Sequence, residues 1–145
     1  SQLLGSQNDM ATIRLRRMRQ KNLSETENQV LGRGMDMAEV QRIENMHGGK
    51  GHVIIKCLLG EKELNGKCGL YAEVTIEPGC SLGYHEHHGE SETYYILSGK
   101  GEYDDNGVKR EVKAGDVTFT PDNHGHGLVN IGEEDLVFMA LIIFD

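Results

Sequence analysis

Two histidines one residue apart, His85 and His87, lie within Gly79–Gly99, GCSLGYHEHHGESETYYILSG. In an extended strand alternate side chains share a face, so both imidazoles project to the same side, with Cα atoms about 6.5–7 Å apart. Glu92 opens a second strand-like run, Glu92–Leu97 (ETYYIL), and His88-Gly-Glu-Ser between the runs can turn the chain. A hairpin there returns a carboxylate beside the imidazole pair. Two nitrogens and an oxygen from one short segment suit Mn, Fe, Co, Ni or Zn. A second stretch, Gly115–Asn130 (GDVTFTPDNHGHGLVN), offers His124 and His126. If His126 begins a strand with Leu128 and Asn130, the three share a face, and the interior of a small barrel would accept a third imidazole. His124 falls in the turn and is expected at the rim, in water.

The elements that must hold these groups are β-strands. A chain of 145 residues makes one domain with a real core. Nineteen glycines against two prolines imply many tight turns and favour an all-β reading over a bundle. The net charge of -8 argues against nonspecific binding to nucleic acid or to an anionic membrane. No apolar run is long enough to span a bilayer, and the N-terminus has no signal-peptide pattern. Cys57, Cys68 and Cys80 are an odd count without metal-site spacing, which reads as reduced thiols in a cytoplasmic protein.

Ser1–Asn22 carries Arg14, Arg16, Arg17, Arg19 and Lys21. It reads as a solvated leader; the alternative is an arm that touches phosphate groups. Asp36-Met-Ala-Glu39 reads as a capping box opening a short helix, with Met37, Val40 and either Ile43 or Glu44 at helical spacing and a stop before Gly48-Gly49. His47, at that stop, is expected to be a surface or capping residue rather than a ligand. Residues 1–49 are therefore set apart as an extension and 50–145 as the domain.

From His52 the period changes. His52–Leu59 and Gly69–Ile76 read as strands around a polar loop, Glu61–Lys67. Lys100–Asp105 and Val108–Val112 flank Asn106-Gly107, a type I′ hairpin signal. Val117–Thr120 and Gly125–Ile131 follow. Leu136–Phe144 (LVFMALIIF) is apolar throughout, so it is central in a sheet or covered by a second subunit. Eight or more short strands with glycine-rich turns indicate a sandwich or barrel.

Those residues resemble the cupin superfamily, defined by G-x5-H-x-H-x3/4-E-x6-G and G-x5-P-x-G-x2-H-x3-N. Gly79, His85, His87, Glu92 and Gly99 fit the first pattern, and Gly115, Pro121, His126 and Asn130 the second. Asn123 stands where the family has glycine, and asparagine tolerates the left-handed conformation better than most residues. The resemblance implies a double-stranded β-helix, a jelly-roll barrel, with a single copy of the motif pair. It implies one divalent transition metal (Fe, Mn, Zn or Ni) on His85, His87, Glu92 and His126, and it agrees with a homodimer.

Four protein ligands on an octahedral ion leave about two positions for water, substrate or O2. By strand parity Tyr94 shares Glu92's face, as a proton donor, a substrate partner or a plain wall residue. Tyr84 and Tyr95 fall on the opposite parity, for packing, and Phe119, Met139 and Leu141 are candidate pocket walls. The expected function is a small metal-dependent enzyme acting on a polar small molecule, of sugar or sugar-acid isomerase, dioxygenase or decarboxylase type. The alternative is a small-molecule-binding or sensing module without turnover, and a third reading is an interaction barrel with a vestigial site.

Overall fold

A computed structural model of the chain describes residues 34–145. The basic cluster at Arg14–Lys21 lies outside the described residues. Ten strands form two antiparallel sheets: β1 (Glu39–Glu44), β2 (His52–Cys57), β3 (Cys68–Ile76), β4 (Ser81–Glu86), β5 (Glu90–Ser98), β6 (Lys100–Asp105), β7 (Val108–Lys113), β8 (Val117–Thr120), β9 (Gly125–Asn130) and β10 (Leu136–Phe144). The larger sheet has the order β1-β2-β3-β10-β5-β8 and the smaller β4-β9-β6-β7. Facing sheets of this kind bury one side of each strand in a common core.

The all-apolar run is central, paired with β3 on one side and β5 on the other. Leu136, Phe138, Ala140 and Ile142 are buried in the core with Val53, Ile55, Leu70, Val74, Ile96 and Leu128. The opposite parity, Val137, Met139 and Leu141, is half-buried. The expected pocket walls are corrected by this register: Phe119 is 56% exposed, and Met139 and Leu141 point away from the core. Strand side chains alternate, so an error of one residue in parity exchanges inside for outside. Tyr84 and Tyr95, expected to pack, are largely exposed.

The helix expected after Asp36 is also corrected. Glu39 does accept from the Asp36 backbone N–H at 2.9 Å, half of the anticipated capping box. Ala38 then takes φ 63°, and the chain enters six ladder pairs with β2, from Glu39↔Cys57 to Glu44↔His52. Local capping chemistry made a turn; sheet pairing, with Ile43 buried and Val40 exposed, overrode the helical spacing. The larger sheet thus takes in a strand from the segment set apart as an extension. The loop at 61–67 contains one helical turn, α1 (Glu61–Leu64), where the Gly60 N–H donates to Glu63. Asn106 and Gly107 both have positive φ, 51° and 99°, as a type I′ turn requires. Asn123 adopts φ 67°, the left-handed conformation expected of it. All three cysteines are free thiols.

Candidate metal centre

Four segments converge at the barrel's interior. His85 lies on β4, His87 just past its end, Glu92 on β5 and His126 on β9. Backbone bonds lock His87 to the turn before β9: its N–H donates to the His124 carbonyl at 3.0 Å, and its carbonyl accepts from Asn123 N–H at 2.7 Å. In the β4–β9 ladder His85 stands opposite His126. One ligand atom from each of His85, His87, Glu92 and His126 lies within 4.8 Å of all the others. His87, Glu92 and His126 are buried, and His85 is half-buried. His124, expected at the rim, is exposed.

Three of these atoms form a nearly equilateral triangle. His87 Nε2 is 3.0 Å from His126 Nε2 and 2.9 Å from Glu92 Oε1; His126 Nε2 is 3.0 Å from the same oxygen. Two ligands at right angles on an ion about 2.1 Å away stand about 3.0 Å apart. The triangle therefore fits one face of an octahedron. The protons agree. His85 Nδ1–H donates to the Gly83 carbonyl at 2.8 Å, and His87 Nδ1 is bonded to the buried Glu90 carboxylate. His126 Nδ1 meets the hydroxyls of Tyr103 at 2.8 Å and Thr120 at 2.9 Å, which also bond each other at 2.9 Å. Each ring is held by its outer nitrogen, which turns Nε2 inward. Two imidazole nitrogens and a carboxylate oxygen packed at 3 Å need protons or a cation among them, and at this right-angled spacing the donor set fits a metal ion.

The titration tendencies point the same way. Burial lowers the His85 pKa well below its ordinary value, and the neighbouring His47, His126 and His87 add to this. Burial alone would raise the Glu92 carboxyl, but hydrogen bonds and charge from His126 and His87 outweigh it and hold it well below the usual range. The result is a neutral imidazole beside an ionised carboxylate, the protonation states that bind metal. Tyr94 faces inward as its parity required; its hydroxyl is 3.3 Å from His126 Nε2. Burial, then the Glu92 charge, raises its pKa well above the ordinary value, so the phenol keeps its proton.

A cavity of about 30 Å³ opens beside the ligands. Its polar lining is His47, His85, His87, Glu92 and Tyr94; the rest is apolar, chiefly Val53, Ile55, Leu70, Val74, Phe138 and Ile142. A water needs roughly 10–15 Å³ of such space, so there is room for about two or three water-sized groups.

Sequence reasoning missed Glu90, Tyr103 and Thr120. Glu90 was within reach, since it shares the parity of Glu92 and lies three residues after His87. Tyr103 and Thr120 come from other strands, and no local pattern announces them.

The family profile described as "Cupin domain" matches residues 72–144. The chain belongs to the cupin family. It is 47% identical over 103 residues to an oxalate-binding protein of Thermotoga maritima, covering 71% of this chain and 85% of that one. It is 39% identical over 75 residues to an oxalate decarboxylase of Bacillus subtilis, covering 48% of this chain but 20% of that protein. A crystal structure from Thermotoga maritima, titled a predicted oxalate decarboxylase, superimposes with a TM-score of 0.72 at 44% identity, over 74% of this chain and 94% of that one.

Proposed function

We propose that the chain holds a divalent transition metal on His85, His87, Glu92 and His126, and through it binds oxalate or a similarly small acid with adjacent oxygens. The observation that carries this reading is the right-angled triangle of His87, His126 and Glu92, with each imidazole fixed by its outer nitrogen. A bound divalent ion supplies positive charge against which two neighbouring carboxylate oxygens can settle. Glu92 contributes one negative charge, so the loaded site retains a net positive charge for a dianion. The small cavity suits a two-carbon dicarboxylate better than a sugar ring, and the similarity to an oxalate-binding protein supports the same ligand.

A second reading, turnover of the decarboxylase type, is favoured by Tyr94. It is a buried phenol that keeps its proton and reaches the ligand group at 3.3 Å, so it is the candidate proton donor. One experiment separates the readings. The chain is stripped of metal, reloaded with Mn(II), titrated with oxalate by calorimetry and assayed for formate and CO2. Stoichiometric metal with one oxalate per chain supports binding. Formate release that falls at least a hundredfold in Tyr94→Phe supports turnover. Absence of oxalate binding by the Mn(II)-loaded chain refutes the ligand assignment.

We also infer a cytoplasmic homodimer. Its contact is the outer face of the larger sheet, where Tyr71, Tyr95, Val117, Phe119 and Ile143 are exposed. A monomeric species in sedimentation would refute it.

A further inference from the structure

His47 is not a member of the four-residue ligand group, yet the backbone is arranged to deliver it there. It sits in the 3₁₀ turn Met46–Gly48 with φ 52° and ψ 31°, a left-handed conformation rarely adopted by a residue with a side chain. Such residues collect at functional sites. The turn lies against β4, and the fit leaves no room for side chains. A Cβ on Gly83 would stand 2.0 Å from the His47 carbonyl oxygen, and one on Gly49 would stand 2.2 Å from the Ser81 oxygen. The β4–β9 register shifts between Leu82 and His85, at the place where the turn docks. Bulges of this kind re-aim side chains beside active sites. The outcome is an imidazole stacked on His85, with ring centroids 3.9 Å apart and planes 16° apart.

That ring lines the cavity. Among the cavity-lining residues it is the one side chain bearing nitrogen or oxygen apart from Tyr94 and three of the four ligand residues, and none of them is Lys or Arg. An oxalate that gives two oxygens to an ion turns the other two outward. Besides His47 and the Tyr94 hydroxyl near the ligand triangle, the cavity offers them only aliphatic and phenyl side chains. A buried carboxylate oxygen without a donor is strongly disfavoured.

We propose that His47 is a ligand-binding residue whose ring N–H donates to the outer carboxylate oxygens of the bound dicarboxylate, while the metal holds the inner ones. This rests on the reading of the site given above. His47 selects for ligands with a second carboxylate and does not hold the metal.

The test uses the full chain loaded with Mn(II), with oxalate as probe and acetate as the one-carboxylate control. His47→Phe keeps a ring to stack on His85 but removes the donor; His47→Gly removes both and suits the left-handed backbone. Metal content and the Mn(II) electron paramagnetic resonance spectrum are read beside calorimetric affinities. Both variants should retain one Mn(II) per chain and bind oxalate about tenfold to a hundredfold more weakly, the range for a lost hydrogen bond to a charged group. Acetate affinity should change less than twofold. Oxalate affinity within twofold of wild type in His47→Phe overturns the donor role. Loss of Mn(II) in both variants, or an unfolded His47→Gly, overturns it by making the ring a structural prop. Wild-type chain that takes up Mn(II) but not oxalate refutes the ligand assignment itself, a result distinct from a variant that binds as well as wild type.

Discussion

The larger sheet has two apolar faces with opposite duties. On the inner face β5 presents Glu90, Glu92, Tyr94 and Ile96, all buried, and β10 presents Phe138, Ala140 and Ile142 beside them. On the outer face the same strands present Thr93, Tyr95 and Leu97, and Met139 and Leu141. Register aligns the outer side chains in rows: Tyr71, Leu141, Thr93 and Phe119 in one; Glu73, Met139, Tyr95 and Val117 in the next. The inner face is closed by the second sheet and can hold buried charge, because the Glu90 and Glu92 carboxylates there meet the rings of His87 and His126. The outer face carries, beside Glu73, exposed apolar groups that a second copy can cover. Hydrophobicity alone does not distinguish the faces; parity does.

The sharpest break between the faces is at the ligands. Replacing both His85 and His87 with alanine removes two of the four proposed donors from a folded barrel. Bound metal should fall below a tenth of an equivalent after dialysis, with the far-ultraviolet circular dichroism unchanged. Stoichiometric metal in this double variant would place the site elsewhere.

The next contrast is a charge on either face. Phe138 is fully buried and packs 4.5 Å from Tyr94, centroid to centroid. Truncating such a ring costs about 3–5 kcal/mol, and a buried unpaired carboxylate costs more. Phe138→Glu should therefore yield no cooperative thermal transition. Tyr95→Glu, on the neighbouring strand but outside, should keep a folded, metal-binding chain that sediments as a monomer. Equal melting temperatures for the two variants would erase the distinction.

A subtler contrast lies within the inner face, between the four proposed ligands and the groups that steer them. Glu90 bonds the outer nitrogen of His87, opposite the Nε2 that enters the triangle. Such outer partners typically matter by about 10–100-fold in metal affinity. Glu90→Gln keeps shape and removes charge, so the metal dissociation constant should rise by that factor, measured by chelator competition. An unchanged constant would reduce Glu90 to packing.

These contrasts also explain what the sequence made legible. His85, His87 and Glu92 were readable because strand alternation is local, and His126 because it shares the parity of Leu128 and Asn130 and falls at the histidine of the second cupin pattern. The same alternation misled at Phe119, Met139 and Leu141, since parity cannot be carried across an intervening turn without knowing which strand pairs with which. The Asp36–Glu39 pattern was read as a helix because a capping bond and a turn share their first step. What followed depended on β2, and pairing across the chain leaves no mark in a short window. The stacking of His47 on His85 left no mark for the same reason: it depends on the close approach of Gly83, thirty-six residues away.

The smallest effect expected tests burial itself through a thiol. Cys57 is fully buried on β2, and burial, with the nearby Glu39 charge adding, pushes its pKa from 9.0 to about 11. The unfolded chain then loses this proton at lower pH than the folded chain. Between about pH 9 and 11 the unfolded state is favoured increasingly, so the contribution of Cys57 to stability falls as pH rises through that window. Cys57→Ala lacks the titration but leaves a small void. At pH 8 the variant should be the less stable, and by pH 11 the gap should narrow by on the order of 1–2 kcal/mol. Urea unfolding of both proteins across that range measures the gap directly, and lysine and tyrosine titrations, common to both chains, cancel in the difference. Parallel stability curves would mean that the thiol ionises as readily folded as unfolded, and that the inner face at β2 admits water. Cys68, half-buried at the start of β3 and paired in register with the exposed Ile143, supplies the comparison from the other face: at pH 8 iodoacetamide should alkylate it well before Cys57.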